Sequence, residues 1–250
     1  MSDGLLFSGN VFVQRLDPNG QPTGGILGPI NTTKLAIKAE AEAKPRTSTK
    51  KADYGQALDD VKIPKPTTIN WAFDDQPAEL IAMVLMGEVI TINDASGTIT
   101  DKPLTLPAEH KWTEIGHKNL AEAGLVVKQS TTPIELGTDF EVNYALGLIR
   151  ALPGGAVDAG GSITVSAQYN ARSGKRIKGA VNSNTRLRLF GEGTNLANGK
   201  DVQFEVFDTS MSPSSEMDLA STDFVGGELE GTAKVVPGKP APFVVDDIAA

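Results

Sequence analysis

The sequence predicts a mainly β protein with one flanking α-helix, and three observations carry that prediction. Apolar and polar residues alternate with a period of two far more often than apolar residues recur at the helical period. Glycine and proline, 26 and 15 of the 250 residues, punctuate the alternating runs. The 40% hydrophobic content at this length is enough to bury one large all-β core or two smaller ones.

The first strand is expected at Val11–Leu16, ended by Asp17-Pro18-Asn19-Gly20, whose residues tolerate positive φ. From Lys34 to Lys44, Leu35, Ile37, Ala39, Ala41 and Ala43 alternate with Lys34, Lys38, Glu40, Glu42 and Lys44, the pattern of a strand with one buried and one wet face. Val61 to Phe73 repeats it, with Val61, Ile63, Ile69, Trp71 and Phe73 opposite Lys62, Thr68, Asn70 and Asp74. Pro64 and Pro66 lack N–H groups on one side of this strand, so pairing on that side should begin after them. Residues 44–60 are the longest polar interruption and exceed an ordinary hairpin connection. They are either a solvated loop or a segment with contacts of its own, basic at Lys44, Arg46, Lys50 and Lys51 and acidic at Asp59 and Asp60.

Pro77–Met86 breaks the alternation and reads as a helix, with Asp75 or Gln76 as N-cap, Pro77 in the first turn and Gly87 as the stop. It has little polar face, so it is buried wholly, or by half with a partner covering the rest. Further strands are expected at Leu125–Gln129, Phe140–Tyr144, Ser162–Asn170, Thr185–Phe190, Val202–Phe207 and Phe224–Val236, with a turn at Asn198-Gly199. In Ser162–Asn170 the apolar residues Ile163, Val165, Ala167 and Tyr169 oppose Thr164, Ser166, Gln168 and Asn170.

Composition removes several function classes. The absence of cysteine excludes disulfides, thiolate catalysis and cysteine-ligated metal sites. The opening MSDGLLFSGNVFVQRL has no basic region before its short apolar patch, so a standard secretion signal is not expected. No run approaches the roughly 20 apolar residues that span a bilayer, and no membrane role is expected. A net charge of −8 argues against nucleic-acid binding, which needs clustered Lys and Arg.

Catalytic patterns are not met. His110 and His117, with Glu109 and Glu114 nearby, fit no zinc spacing. Gly191-Glu192-Gly193 lacks the further glycine and helix of a dinucleotide fingerprint and reads as a glycine-rich loop. Ser173-Gly174-Lys175-Arg176 lacks the rest of a phosphate loop and reads as a turn. No catalytic, cofactor or metal residue is assigned, and no enzyme activity is expected.

An ordered series of segments bears on identity: Tyr54-Gly55-Gln56-Ala57-Leu58, Val61-Lys62-Ile63-Pro64-Lys65-Pro66, the apolar helix ending Leu85-Met86-Gly87-Glu88, then Thr138-Asp139-Phe140-Glu141-Val142-Asn143, Gly147-Leu148-Ile149-Arg150 and Gly154-Gly155. Arg188-Leu189-Phe190-Gly191-Glu192-Gly193-Thr194-Asn195, Val202-Gln203-Phe204-Glu205-Val206 and Phe224-Val225-Gly226-Gly227-Glu228-Leu229-Glu230-Gly231 follow in order. The chain thereby resembles the major tail tube proteins of siphophages, with Phe140 where that family commonly has Tyr.

The resemblance implies a β-sandwich or open barrel whose inner sheet joins those of its neighbours in a hexameric ring. Rings would stack into a tube that phage DNA traverses without specific binding, in the virion tail after assembly in the host cytoplasm. Implied partners are further copies of the chain, a tape-measure protein, a tail terminator and distal tail proteins. On this reading residues 1–9 are an N-terminal arm, 10–236 one tube domain with an assembly loop at 44–60, and 237–250 a C-terminal arm. Strand alternation places Glu40, Glu42, Thr68, Asn70, Thr164, Ser166, Gln168 and Asn170 on the lumen. Loop length and charge place Lys44, Arg46, Lys50, Lys51 and Tyr54 between rings. The alternatives are the tube of a contractile tail or tail-like machine, and a receptor- or carbohydrate-binding β-sandwich of a tail tip or adhesin. The low aromatic content, 6%, disfavours the latter.

Overall fold

The computed structural model describes residues 4–157 and 160–248. It is mainly β with a single α-helix among the described residues. In chain order the strands are β1 (Phe7–Leu16), β2 (Pro22–Ile30), β3 (Thr32–Lys38), β4 (Ala41–Thr47), β5 (Ala57–Pro64), β6 (Thr68–Phe73), β7 (Glu88–Asp94), β8 (Gly97–Thr105), β9 (Thr113–Glu114) and β10 (Val126–Gln129). Then come β11 (Thr132–Pro133), β12 (Phe140–Asn143), β13 (Leu148–Ala151), β14 (Ser162–Tyr169), β15 (Arg172–Lys178), β16 (Thr185–Asn195), β17 (Lys200–Pro213), β18 (Gly227–Ala233) and β19 (Phe243–Ile248). The helix α1 (Ala78–Val84) follows β6.

The chain, read from sequence as one tube domain over 10–236, forms two compact units, one of residues 1–90 and 177–250, the other of 91–176. The chain crosses between them inside β7 and β15, which pair as a two-stranded ribbon. Boundaries inside paired strands leave no linker composition to read.

In the larger unit an eight-stranded sheet runs β2-β1-β16-β17-β18-β6-β3, and β19 pairs with the first half of β17. Alternation puts Val13, Leu187, Leu189, Val206, Leu229, Ile69, Trp71 and Phe73 on one face, all buried. Leu80, Met83 and Val84 of α1 close that core, and each fully buried aliphatic side chain contributes about 1.5–3 kcal/mol. The close approach of helix and sheet needs Gly227, where a Cβ would stand 2.6 Å from Val84 Cγ2. The helix is capped by Pro77, in extended backbone and without a side-chain hydrogen bond, and not by Asp75 or Gln76. Those two side chains are engaged elsewhere: Asp75 accepts from the Asn31 N–H at 2.6 Å, and Gln76 donates to the Val225 carbonyl at 2.7 Å.

The smaller unit has a four-stranded sheet, β11-β10-β14-β8, and a three-stranded sheet, β12-β13-β9, that contribute to one core. Val127, Ile163, Val165 and Ala167 come from the first, Phe140, Ile149 and Ala151 from the second. The odd face of Ser162–Asn170 is buried as the alternation predicts.

Several boundaries are corrected. The strand expected over 34–44 is broken at Ala39-Glu40, and that over 61–73 at Lys65-Pro66-Thr67; β6 pairing begins at Thr68, after both prolines. Both ends of the loop expected at 44–60 are strand: Lys44–Thr47 pair with Ala57–Val61 in the β4–β5 hairpin. Ala41, Ala43, Val61 and Ile63, expected on a buried face, are exposed, because the hairpin leaves the sheet and no second layer covers it. Gly191-Glu192-Gly193 lies within β16 and not in a loop, and Ser173–Arg176 within β15 and not in a turn. The N-terminal arm expected at 1–9 joins the sheet at Phe7, and the C-terminal arm expected at 237–250 contains β19. Residues 1–3 and 249–250 of those arms lie outside the described residues.

Candidate functional site

Two surfaces of the larger unit concentrate polar chemistry. The first is the even face of the eight-stranded sheet, opposite the core. Here Arg188 donates to Glu205 at 2.6 Å and lies over the Phe190 ring, 4.6 Å from its centroid. Phe190 in turn stacks on Phe12. Lys34 pairs with Glu228 at 3.2 Å. Donation from the Asn70 amide, and secondly from Lys34, holds the Glu228 carboxyl below the usual carboxylate range. Arg186 is paired with the buried Asp208 and also donates to the Pro18 carbonyl, and the bond to Asp208 raises its pKa. Basic and acidic side chains thus neutralise one another across neighbouring strands, a pairing that stabilises sheets.

The second surface is the arm β4–β5. Every residue of both strands is exposed, yet the hairpin is locally well specified. Arg46 grips Asp59 across the ladder through Nε at 3.1 Å and Nη2 at 2.9 Å. At the tip the buried Ser48 hydroxyl donates to Asp53 at 2.9 Å and accepts from the Lys50 N–H, and Gly55 turns the chain at φ 82°. The Lys65 N–H donates to the Glu40 carbonyl, so the arm extends the β3–β6 ladder.

Lys44, Arg46, Lys50, Lys51 and Tyr54 are therefore all exposed on the arm, with Arg46 committed to Asp59. The eight residues expected on one lumen are divided among surfaces. Thr68 and Asn70 lie on the polar sheet face, Glu42 on the arm with Glu40 at its base, and Thr164, Ser166, Gln168 and Asn170 on or just after β14 in the smaller unit. Sequence alternation assigns a face within a strand, but it carries no information on which sheet the strand joins. The charge pairs Arg188–Glu205 and Arg186–Asp208 went unassigned, although their alternation with Leu187 and Leu189 in β16 was a readable signal.

His110 sits in a 3₁₀ turn (Ala108–His110) at positive φ, and His117 stacks on Tyr169 at 4.0 Å. Among the described residues no group of His, Asp and Glu has the arrangement to hold a metal. Nor, among the described residues, is any helix long and apolar enough to cross a membrane.

No curated protein matches the chain. A family model described as protein of unknown function UCP028589 matches residues 5–242, and the chain belongs to that family.

Proposed function

We propose that the chain is a structural subunit that assembles with copies of itself into a hollow tube of the phage tail-tube kind, with the even face of the eight-stranded sheet toward the channel. The observation that carries the reading is that face: one sheet side carries the core, while the other is largely polar, with charge pairs joining β3 to β18 and β16 to β17. A wet face of that extent suits a water-filled lumen. Its basic groups are bound to carboxylates, so they offer little for counterion release from phosphate, and DNA would pass without being held. The arm is the natural reach to a neighbour. The terminator, tape-measure and distal tail partners, and a place in the virion tail, follow from the same reading.

Negative-stain electron microscopy of the purified protein tests it. Rings or hollow tubes are the expected result, and monomers alone at high concentration overturn it.

A second reading attaches to the smaller unit. Trp112 is exposed beneath Arg150, whose guanidinium lies 4.6 Å from the ring centroid, a platform of the kind sugars stack on. Glycan-array binding that a Trp112→Ala change abolishes would support a binding module. Binding that survives the change would remove it.

A further inference from the structure

The larger unit carries an apolar groove of about 480 Å³ at the margin of its core, where Ile30, Leu35 and Ile37 line the groove and also join or pack against the core. Its floor is Phe7 and Phe204, which meet edge to face at 6.0 Å. Both rings lie on bare backbone: a Cβ at Gly193 would stand 2.7 Å from the Phe7 ring, and one at Gly191 2.5 Å from that of Phe204. The walls include Leu5, Leu35, Ile37 and Val245, and Lys34 is the charged member of the lining. One wall is β3, the last strand of the sheet, whose outer edge from Thr32 to Lys38 pairs with no strand among the described residues. An apolar trough beside an open strand edge has what an incoming strand needs, side-chain pockets and free backbone donors and acceptors.

The arm has the complementary features. Leu58, Val61 and Ile63 are exposed on β5, Val61 by 65%, and none of them lines the groove of its own chain. An isolated two-stranded hairpin is marginal alone, so exposed aliphatics along one strand point to a surface that receives them.

We propose that this groove is the receptor for the β4–β5 arm of a second copy, with Val61 and Ile63 entering over Phe7 and Phe204 and the incoming strand running along the open edge of β3. The proposal rests on the self-assembly reading and names the contact by which it occurs. Apolar burial supplies the affinity, and backbone pairing with the open edge of β3 sets which way the arm lies.

The absence of cysteine makes the test clean. Val61→Cys protein is mixed with Val245→Cys protein, or with Ser212→Cys protein as a control on the polar sheet face, and each mixture is oxidised and run on a non-reducing gel. The groove pair is expected to give at least tenfold more disulfide-linked dimer than the control pair. Tubes that form without the Val61–Val245 link, or that link both pairs equally, overturn the docking site and leave the tube reading standing. Linked dimers that never extend into rings or tubes uphold the docking site and overturn the tube. As a second variant, Val61→Ser with Ile63→Ser should keep the parent melting temperature and lose assembly; assembly at the parent level overturns the proposal.

Discussion

The two units meet the same requirement, a sheet with an apolar face that must be covered, in different ways. The smaller gathers side chains from two sheets around one core, and of its large apolar residues Trp112, Val126, Leu136 and Leu146 remain exposed. The larger covers part of one broad sheet with a seven-residue helix and, among the described residues, leaves fifteen large apolar ones exposed on a little under twice the chain. Nine of them lie toward the ends and on the arm: Leu5, Leu6 and Phe7 at the start, Tyr54, Leu58, Val61 and Ile63 on the arm, and Val245 and Ile248 on β19. A unit that closes its own core leaves little apolar surface, whereas one with a groove and an exposed arm leaves apolar surface that the described residues do not cover.

The largest effects come from the cores. Leu229→Ala in the larger unit and Ile149→Ala in the smaller remove fully buried side chains and should each cost about 2–5 kcal/mol. The chain has two tryptophans, Trp71 in the larger core and Trp112 in the smaller unit, so each unit has its own fluorescent reporter. Urea unfolding is expected to show Leu229→Ala moving the Trp71 signal, and Ile149→Ala moving the Trp112 signal. Both signals moving together in both variants would make the units one cooperative body and break the comparison.

A smaller effect is expected on the groove floor. At Gly191 a Cβ would come within 2.5 Å of both the Asn10 carbonyl oxygen and the Phe204 ring, so Gly191→Ala should cost about 1–3 kcal/mol in the Trp71-reported transition alone. An unchanged midpoint would mean that Phe204 swings aside freely and that the floor is soft.

The same glycines show why part of the molecule was legible in the sequence and part was not. Strict alternation, as in Ile69, Trp71 and Phe73 or in Ile163, Val165 and Ala167, reports a strand and its buried face directly, and both strands lie as expected. In Gly191-Glu192-Gly193 the signal fails because the side chains covering those positions belong to β1 and β17, distant in sequence. The arm misled in the opposite sense. Ala41, Ala43, Val61 and Ile63 continue the alternation of β3 and β6 past the point where the sheet ends, so local pattern predicted burial that only a second layer would supply. The charged residues later found on the arm were named from sequence, because loop length and charge are local properties. The division into two units was hidden, since both crossings run through β7 and β15.

Reversing charge on the arm should leave folding alone. Lys50 and Lys51 are exposed at the tip, and Lys50→Glu with Lys51→Glu is expected to change stability by no more than about 0.5 kcal/mol while shortening tubes seen by electron microscopy. Moderate salt should shorten the parent's tubes only slightly, because apolar contact carries most of the affinity. Tubes of parent length from the reversed variant would remove charge from the account of assembly.

The smallest effect separates the units by pH. In the smaller unit Asp139 accepts from the Glu135 N–H and the Ala156 N–H, both at 2.7 Å, and these bonds, the Glu135 N–H first, depress its pKa. In the larger unit Asp17 is depressed chiefly by the Gln21 N–H, and also by that of Asn19. For both groups the folded value lies below the unfolded one, so each contribution is complete above the ordinary carboxylate pKa of about 4 and is lost as pH falls through the folded value. Asp139→Asn removes that acid-sensitive contribution from the smaller unit only, and Asp17→Asn from the larger only. Stability measured between neutral and acidic pH should therefore flatten in the Trp112 signal for the first variant and in the Trp71 signal for the second. If Asp139→Asn flattened the Trp71 signal as well, the acid response would be shared between the units and the contrast between a closed core and an open one would not extend to their electrostatics.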